Sequence, residues 1–474
     1  GNRGANGKGS ARMAEQRIEP GGEDDRDDAY ALDRQVVSGV LAGVEEGDAD
    51  AVAALLEPLH AADIADLVEQ MGAAFRRPFL DLVWDRLDPE ILVELEEGVR
   101  DEVLAALPPE RIAEAARDLD TDDVVYLCEA LPAETQEAVL AALDPADRAA
   151  ISRALAYPEY SAGRLMQSDF VRAPPYWTVG QMIDYLRAAA DLPEPFYDVI
   201  VVDPAMRPVG EIRLSQIIGN RRPVVLESLM ERDFRTLHVE DSQEDVAYAF
   251  NQYHLVSCPV VDDDGRVVGV ITIDDAMAVL EDEAEEDIRR LGGVGDEEIT
   301  DRVVSITRRR FPWLAINLAT AVLASVVIGV FDAVIAEVVA LAVLMPIVAS
   351  MGGNAGTQTL TVAVRALATR DLTTANMLRV VAREGLVGLL NGVAFAVLVG
   401  AIAWAWYGDP MLGGVIAVAM AGTMVVAALA GILIPIGLDR IGVDPALASG
   451  AFVTTVTDVV GFFVFLGLAA IILL

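Results

Sequence analysis

Five long apolar runs dominate the last third of the chain and constrain its fold more than any other feature. They cover about residues 311–331, 334–368, 384–407, 411–438 and 446–474. An α-helix needs about 20 apolar residues to cross the hydrocarbon core of a bilayer. The sequence therefore predicts a transmembrane domain of five helices over residues 308–474. The second run is longer than one span, so it either extends past the bilayer or is broken, with Pro346 and the Gly352–Gly353 pair as candidate break points.

The charge of the chain is divided as sharply as its hydropathy. Residues 308–474 contain eight Arg, no Lys and eight Asp or Glu, so the net charge of −39 lies entirely in the first 307 residues. Such acidity disfavours nucleic acid and anionic lipid as partners of the first part, and it is compatible with cation binding. A general compositional bias is the alternative explanation, because Lys8 is the only lysine in the chain.

The N-terminal part of the chain is predicted to be helical. Residues 1–32, rich in Gly, Asp and Glu, are predicted to be a tag remnant followed by a disordered segment. Residues 33–158 carry a repeated helical pattern, in which proline is tolerated because its missing N–H falls in the first turn. Repeated short helices of this kind stack into an all-α superhelix. Four motifs each open such a helix: Leu87-Asp-Pro-Glu, Leu107-Pro-Pro-Glu, Leu131-Pro-Ala-Glu and Leu143-Asp-Pro-Ala.

A pattern of alternating strands and helices follows the helical region. Strands are predicted at Val199–Val202 and Arg222–Leu226, and a hairpin at Cys258–Ile273, where Asp-Gly joins two apolar β-branched runs. Each unit continues into a short helical run. Two such α/β units in tandem resemble a pair of CBS domains, here residues 159–221 and 222–280.

The charged segment 281–307 is predicted to be a helix that links the soluble part to the membrane. The orientation of the spans follows from the arginines, because loops on the cytoplasmic side carry an excess of them. The arginines precede the first run or lie in the second and fourth loops, and the first and third loops have none. The sequence therefore predicts a multi-pass protein of the cell membrane with a cytoplasmic N-terminal half and an external C-terminus.

One carboxylate, Asp458, stands alone in the fifth apolar run. A charge at bilayer depth costs roughly 3 kcal/mol on insertion scales, so it persists where it faces water, a partner or an ion. Asp458 therefore predicts a cation pathway; a structural carboxylate hydrogen-bonded to a neighbouring helix is the alternative. Thr454 lies four residues earlier, on the same helix face, and Thr455 adds a second hydroxyl group.

The second apolar run offers small residues and neutral oxygen atoms, at Gly353, Asn354, Gly356 and Thr357. Such a stretch either lines a cavity with its carbonyl groups or packs as a seam between helices. Hard oxygen donors without Cys or His favour magnesium or calcium over zinc or copper. One carboxylate alone supplies few ligands and too little charge for a divalent ion. A homodimer would provide two copies of Asp458 and so a more complete site.

Together these features resemble the MgtE family of magnesium channels and transporters. The resemblance rests on the order of the domains and on two motifs, Gly352-Gly-Asn-Ala-Gly-Thr-Gln358 and Asp444-Pro-Ala-Leu-Ala-Ser with Thr454-Thr-Val-Thr-Asp458. It implies a homodimer in the cell inner membrane that takes up Mg²⁺ through a pore lined mainly by the second and fifth spans. The pore carboxylate of the family then falls on Asp458.

The resemblance also implies that cytosolic Mg²⁺ closes the pore. Acidic faces repel each other at low Mg²⁺, and divalent ions bridge them at high Mg²⁺ and hold the linking helix closed. The matching positions are Asp275, Glu283, Glu286 and Asp287, whereas position 278, acidic in some relatives, is Ala278 here. Taken alone, the acidic run would be interpreted as a solvated helix face.

A nucleotide signature stands in the second CBS repeat. Gly269–Asp275 matches Gly-x-x-Thr-x-x-Asp, with Thr272 and Asp275 as the ribose-binding groups, and Gly210–Gln216 in the first repeat lacks both. ATP or another adenine nucleotide is therefore a candidate ligand.

Two other functions are compatible with the sequence. One is a transporter of another divalent cation, such as Co²⁺ or Ca²⁺; the other is a CBS-regulated membrane receptor that moves no ion. An enzyme is not expected, because the sequence shows neither a nucleophile–base pair nor a catalytic metal constellation.

Overall fold

The computed structural model describes residues 32–189, 192–193, 195–294 and 303–474, apart from the side chains of 447–449. The chain forms two compact units, residues 1–280 and residues 281–474. The predictions for residues 1–31 and for positions 295–302 of the linking segment lie outside the described residues.

The first unit begins with a stack of short helices, as the repeated pattern predicts. Several begin where the sequence supplies a cap or a proline: Asp33 and Asp48 accept hydrogen bonds from backbone N–H groups of α1 and α2, and Pro109 and Pro145 start α7 and α10. The apolar faces meet in a core that includes the fully buried Phe79. The helices are α1 Arg34–Glu46, α2 Ala49–Leu56, α3 Ala61–Gln70, α4 Ala73–Val83, α5 Ile91–Glu94, α6 Glu97–Ala106, α7 Pro109–Ala115, α8 Thr121–Glu129, α9 Ala133–Ala142 and α10 Pro145–Ala154, with a 3₁₀ turn at Trp84–Arg86.

Two small sheets with flanking helices complete the first unit. Each sheet has three strands, with a parallel pair (β1 and β2, β4 and β5) and an antiparallel pair (β2 and β3, β5 and β6). The predicted hairpin is confirmed as β5 and β6, and Gly265 in its turn adopts φ +73°. The elements are α11 Ala162–Leu165, β1 Arg172–Ala173, α12 Val179–Ala188, β2 Asp198–Val202, β3 Pro208–Arg213, α13 Leu214–Gly219, a 3₁₀ turn at Leu226–Ser228, β4 Leu237–His238, α14 Gln243–Tyr253, β5 Ser257–Val261, β6 Val267–Thr272 and α15 Ile273–Leu291.

The strand predicted at Arg222–Leu226 is wrong. The carbonyl groups of Arg222 and Val224 accept hydrogen bonds from the N–H groups of Gly180 and Val179, each at 2.8 Å. This segment therefore provides partners for the first N–H groups of α12 and belongs to neither sheet. The antiparallel partner of β2 is β3, which the sequence analysis missed. It begins with proline and carries Glu211 and Arg213, so its apolar alternation is weak.

The second unit contains five long apolar helices, as predicted. In the described part of the chain, the segments long and apolar enough to cross a membrane are Val303–Val330, Ala340–Ala368, Met377–Tyr407, Pro410–Arg440 and Gly450–Ile472. The helices that contain them are α16 Val303–Val330, α18 Ala340–Ala368, α19 Met377–Tyr407, α20 Pro410–Arg440 and α21 Pro445–Ile472, with a short α17 at Asp332–Glu337. All-α, α/β and membrane-helical parts therefore follow one another in the predicted order.

The second apolar run is broken, but neither candidate break point is where the helix ends. The break lies at Val338, whose ψ of 77° ends α17, and α18 continues through Pro346 and Gly352. Proline is tolerated inside transmembrane helices because neighbouring groups take up the freed backbone partner. Gly352 serves close packing, since a Cβ there would lie 2.7 Å from the Cγ2 atom of Thr423.

The contact between α18 and α20 depends on Gly431, and this can be tested. A Cβ at Gly431 would lie 2.6 Å from the carbonyl oxygen of Gly356 and 2.9 Å from the Cβ atom of Thr359, whereas Gly437 on the same helix has nothing within 4 Å. We expect Gly431→Ala to lower the free energy of unfolding by about 1–3 kcal/mol, as overpacking does. Gly437→Ala, the control, should keep or slightly raise it, because alanine favours helix. Equal melting temperatures in detergent would contradict the close contact.

Candidate functional site

Asp458 lies in the middle of α21 and is half-buried within the second unit. No hydrogen bond or ion pair between the described residues involves its carboxylate. The alternative interpretation, a carboxylate hydrogen-bonded to a neighbouring helix, therefore has no support from the protein groups that the structure describes. A charged group at this depth needs water or a cation.

The threonines near Asp458 use their hydroxyl hydrogens within their own helices. Thr454 donates to the carbonyl oxygen of Gly450 at 2.9 Å, and Thr455 donates to that of Ala451 at 2.6 Å. On α18, Thr357 donates to the carbonyl oxygen of Gly353 at 3.0 Å. Each hydroxyl oxygen therefore keeps lone pairs that can accept from hydration water or face a cation.

The other predicted pathway residues divide between an open face and a helix contact. Asn354 and Thr357 on α18 and Thr454 on α21 are exposed in the single chain. Gly356 is buried, because a Cβ there would lie 2.7 Å from the Cγ1 atom of Val453 and 3.4 Å from the Cγ2 atom of Thr457. The structure thus brings α18 and α21 together through Gly356 and leaves polar oxygen atoms on their outer face.

A second group of charged residues lies at the start of α21. Asp444 caps this helix, accepting from the N–H of Ala446 at 2.7 Å, and forms an ion pair with Arg290, which also pairs with Glu286. Asp287 is half-buried beside them, and its burial, with a smaller contribution from Asp444, raises the pKa of its carboxyl group. Two of the predicted regulatory carboxylates, on residues 286 and 287, are therefore brought next to the N-terminus of the helix that carries Asp458.

Leu291 reinforces this contact. It packs against an apolar cluster formed by Leu360 and Val364 on α18 and by Ala446 and Val453 on α21. Glu283 lies two turns earlier on α15 and is half-buried. The end of α15 therefore touches both helices that carry the predicted ion pathway.

The first unit holds a group of three carboxylates, of which the sequence analysis named Asp275 and missed the other two. Asp122 and Asp123 lie in the first turn of α8, and Asp275 lies in the first turn of α15. Asp122 is 7% exposed, and its Oδ1 atom has no hydrogen-bond partner in the described part of the chain. Acidic residues at a helix N-terminus are ordinary capping groups, so the sequence alone gave no signal of a site.

The burial of these groups changes their protonation. Burial, followed by the repulsion of Asp275, raises the pKa of Asp122 well above its usual range. The same two causes raise the pKa of Asp123 to about 7. Burial also raises the pKa of Asp275, although its hydrogen bond from Thr272 partly opposes this. Ionised carboxylates so close together repel each other, and either protons or a divalent cation would relieve that repulsion.

No group of three or more His, Cys, Asp or Glu side chains among the described residues is close enough to hold a bare metal ion. This excludes a zinc-type cage there, but Mg²⁺ usually keeps several waters and binds through one or two carboxylates. The unpartnered oxygen of Asp122 beside Asp275 fits a hydrated divalent ion of this kind.

The predicted nucleotide residues bond to each other. The Oγ1 atom of Thr272 donates to the Oδ2 atom of Asp275 at 2.7 Å, and Thr272 is buried. A cavity of about 20 Å³ lies beside them, lined in part by Tyr197, Asp198 and Ser257. This volume is that of a small solvent molecule.

The five apolar helices and the two small sheets define a multi-pass membrane protein with a CBS-containing first unit. Comparison with known proteins agrees. The family model described as a divalent cation transporter, MgtE, matches residues 345–468. The MgtE intracellular N domain matches residues 59–160, and the CBS domain matches residues 226–282.

The relatives identify the family. The chain is 33% identical to a magnesium transporter MgtE from Thermus thermophilus over 93% of its own length and 99% of that protein. It is 35% identical to a magnesium transporter MgtE from Enterococcus faecalis over 68% of its length and 71% of that protein. A crystal structure of the cytosolic domain of the Mg²⁺ channel MgtE in complex with ATP matches at 30% identity with a TM-score of 0.48, covering 51% of this chain and 99% of that one. The protein belongs to the MgtE family, which confirms the resemblance.

Proposed function

We propose that this protein carries Mg²⁺ across a cell membrane and closes when cytosolic Mg²⁺ binds its acidic soluble part. The observation that carries the proposal is Asp458, a carboxylate in the middle of an apolar span that has no hydrogen bond or ion pair with any residue that the structure describes. The likeness to magnesium transporters over 93% of the chain supports magnesium as the transported ion. Co²⁺ and Ca²⁺ are the competing substrates.

The proposed pathway runs between two copies of the chain. A homodimer places two Asp458 carboxylates on opposite sides of its two-fold axis, where their combined charge balances one divalent ion. The exposed oxygen atoms of α18 and α21 would bind the ion through its hydration shell, because magnesium dehydrates reluctantly. The proposed lining is Gly353, Asn354, Thr357, Thr454, Thr455 and Asp458, whereas Gly356 lies in the contact between the two helices.

The proposed orientation has the first unit in the cytoplasm and the C-terminus outside. Arg308–Arg310 before the first span support it, as do the arginines of the loops that follow the second and fourth spans. The proposed domains are the helical region 33–158, the CBS repeats 159–221 and 222–280, the linking segment 281–307, in which α15 ends at Leu291, and the membrane domain 308–474.

Closure is proposed to use two groups of carboxylates. In one, Asp122, Asp123 and Asp275 would share a hydrated ion within the first unit. In the other, Glu283, Glu286 and Asp287 would hold the end of α15 against the start of α21, where Asp287 already lies beside Asp444. Binding of a divalent ion favours whichever state brings the carboxylates together.

A flux assay tests the transport proposal. Purified protein in liposomes should load a trapped Mg²⁺ indicator, and Mg²⁺ on the side of the soluble part should stop the loading. Competition by Co²⁺ and Ca²⁺ ranks the ions. A protein that binds Mg²⁺ but passes no divalent cation under any condition would favour the receptor hypothesis.

An adenine nucleotide is proposed as a ligand of the second CBS repeat. Thr272→Val should weaken the binding of ATP about tenfold or more, because the ribose loses a hydroxyl partner in a buried site. Arg213→Ala, at the matching position of the first repeat, is the control and should bind as the unmodified protein does. Isothermal titration with ATP measures both, and equal affinities for all three proteins would exclude Thr272 from the site.

A further inference from the structure

Thr423 of the second unit has a buried hydroxyl group without a hydrogen-bond partner among the described residues. It lies in the middle of α20, its side chain is 1% exposed, and its Oγ1 atom has no hydrogen bond to any group that the structure describes. Thr357 and Thr454 behave differently, since each donates to a carbonyl oxygen of its own helix. Threonine in a helix ordinarily does the same.

The side chain of Thr423 fills a space that two glycines leave. Its Cγ2 atom is 2.7 Å from where a Cβ on Gly352 would lie and 3.3 Å from the corresponding point on Gly461; its Oγ1 atom is 3.6 Å from the latter. Gly352 belongs to α18 and Gly461 to α21. Thr423 thus lies between the two helices that carry the proposed ion pathway.

The neighbours of these glycines connect Thr423 to the pathway. Gly352 precedes Gly353, and Gly461 follows Asp458 by one turn of α21. The Cβ atom of Thr457, next to Asp458, lies 3.6 Å from the same point on Gly352. A change in the position of the Thr423 side chain therefore changes how closely α18 and α21 can approach.

We propose that Thr423 is a positioning residue of the ion pathway, whose hydroxyl gains a hydrogen bond to its own helix only when α18 and α21 move apart. In the packed arrangement its methyl group occupies the space beside both Gly352 and Gly461, and its hydroxyl lies slightly farther from Gly461. The available acceptors on α20 are the carbonyl groups of Ala419 and Met420, reached by rotation about χ1. That hydrogen bond would stabilise the more open state. This inference rests on the proposed transport function and adds a residue to its gate.

Thr423→Val tests the inference because valine keeps the shape and removes the hydroxyl. The packed state should become favoured, so the Mg²⁺ concentration that halves the flux into liposomes should fall about fivefold. This is the effect expected from the loss of one neutral hydrogen bond. Thr423→Ser keeps the hydroxyl and should close near the concentration of the unmodified protein. Thr361→Val, which removes an exposed hydroxyl bonded to the carbonyl of Thr357, is the control and should change nothing.

Hydrogen exchange without Mg²⁺ gives a second measurement that needs no transport. Peptides of α18 and α21 should exchange more slowly in Thr423→Val than in the unmodified protein, because the packed state is more populated. Equal exchange, or a lower melting temperature with an unchanged closing concentration, would overturn the inference, since the hydroxyl would then stabilise both states alike. Absence of flux from the unmodified protein would instead contradict the transport function, and the exchange comparison would still decide the role of Thr423.

Discussion

Asp458→Asn should reduce Mg²⁺ flux by at least a hundredfold. Asparagine has nearly the same shape, so the change removes one negative charge from each copy of the chain and little else. A divalent ion roughly 5 Å from one carboxylate, with an effective dielectric constant of about 20, gains on the order of 7 kcal/mol before desolvation is counted. Loss of even half of this exceeds the roughly 2.7 kcal/mol that corresponds to a hundredfold change.

The measurement is the initial rate of Mg²⁺ entry into liposomes that contain equal amounts of folded protein. Asp439→Asn, which removes an exposed carboxylate near the end of α20, is the matched control and should retain its flux. Asp458→Glu should retain part of the flux, since the charge remains and only its distance changes. Full flux in Asp458→Asn would exclude the carboxylate as a ligand of the permeating ion.

The parts of the fold that were predicted correctly are those with a strong local signal. Five apolar runs predict five helices because a bilayer allows few other structures, and Asp-Gly between two β-branched runs predicts the hairpin of β5 and β6. The break in the second run was predicted at the wrong place because proline and glycine do not reliably mark helix ends inside a membrane. There Gly352 allows close packing, and Val338 ends the preceding helix.

The candidate site was only partly predictable because only some of its residues stand out from their local sequence. Asp458 is conspicuous because a charge in an apolar run has few explanations. Asp122 and Asp123 are two of 74 acidic residues in the chain, at the start of a helix where acidic residues are common. Only the fold shows that α8 brings them to Asp275, with Asp122 buried and Asp123 half-buried. Thr423 is similar, because a threonine in a span becomes informative only when its unpartnered hydroxyl is seen.

Neutralising two half-buried carboxylates of the first unit should remove much of its response to Mg²⁺. In the unmodified protein, added Mg²⁺ should slow proteolysis of the soluble part, because a divalent ion holds Asp122, Asp123 and Asp275 together. The double variant Asp123→Asn with Asp275→Asn should be cut slowly without Mg²⁺ and gain little from it, since the repulsion is already gone. Asp147→Asn, an exposed carboxylate in the first turn of α10, is the control. A double variant that Mg²⁺ protects as strongly as the unmodified protein would exclude these carboxylates from the sensor.

The pH dependence gives the same carboxylates a second test. Because the pKa of Asp123 is raised to about 7 from the ordinary value of 3.8, the folded protein binds a proton there that the unfolded chain has already lost. Stability without Mg²⁺ should therefore fall as the pH rises from about 4 through 7. Mg²⁺ takes the place of the proton, so its effect on the melting temperature should be small near pH 5 and large near pH 8. In the double variant, stability without Mg²⁺ should depend much less on pH. The difference between the two proteins gives the contribution of these carboxylates apart from that of the other acidic groups on the surface. A Mg²⁺ effect of equal size at both pH values would mean that protons and Mg²⁺ do not compete for this cluster.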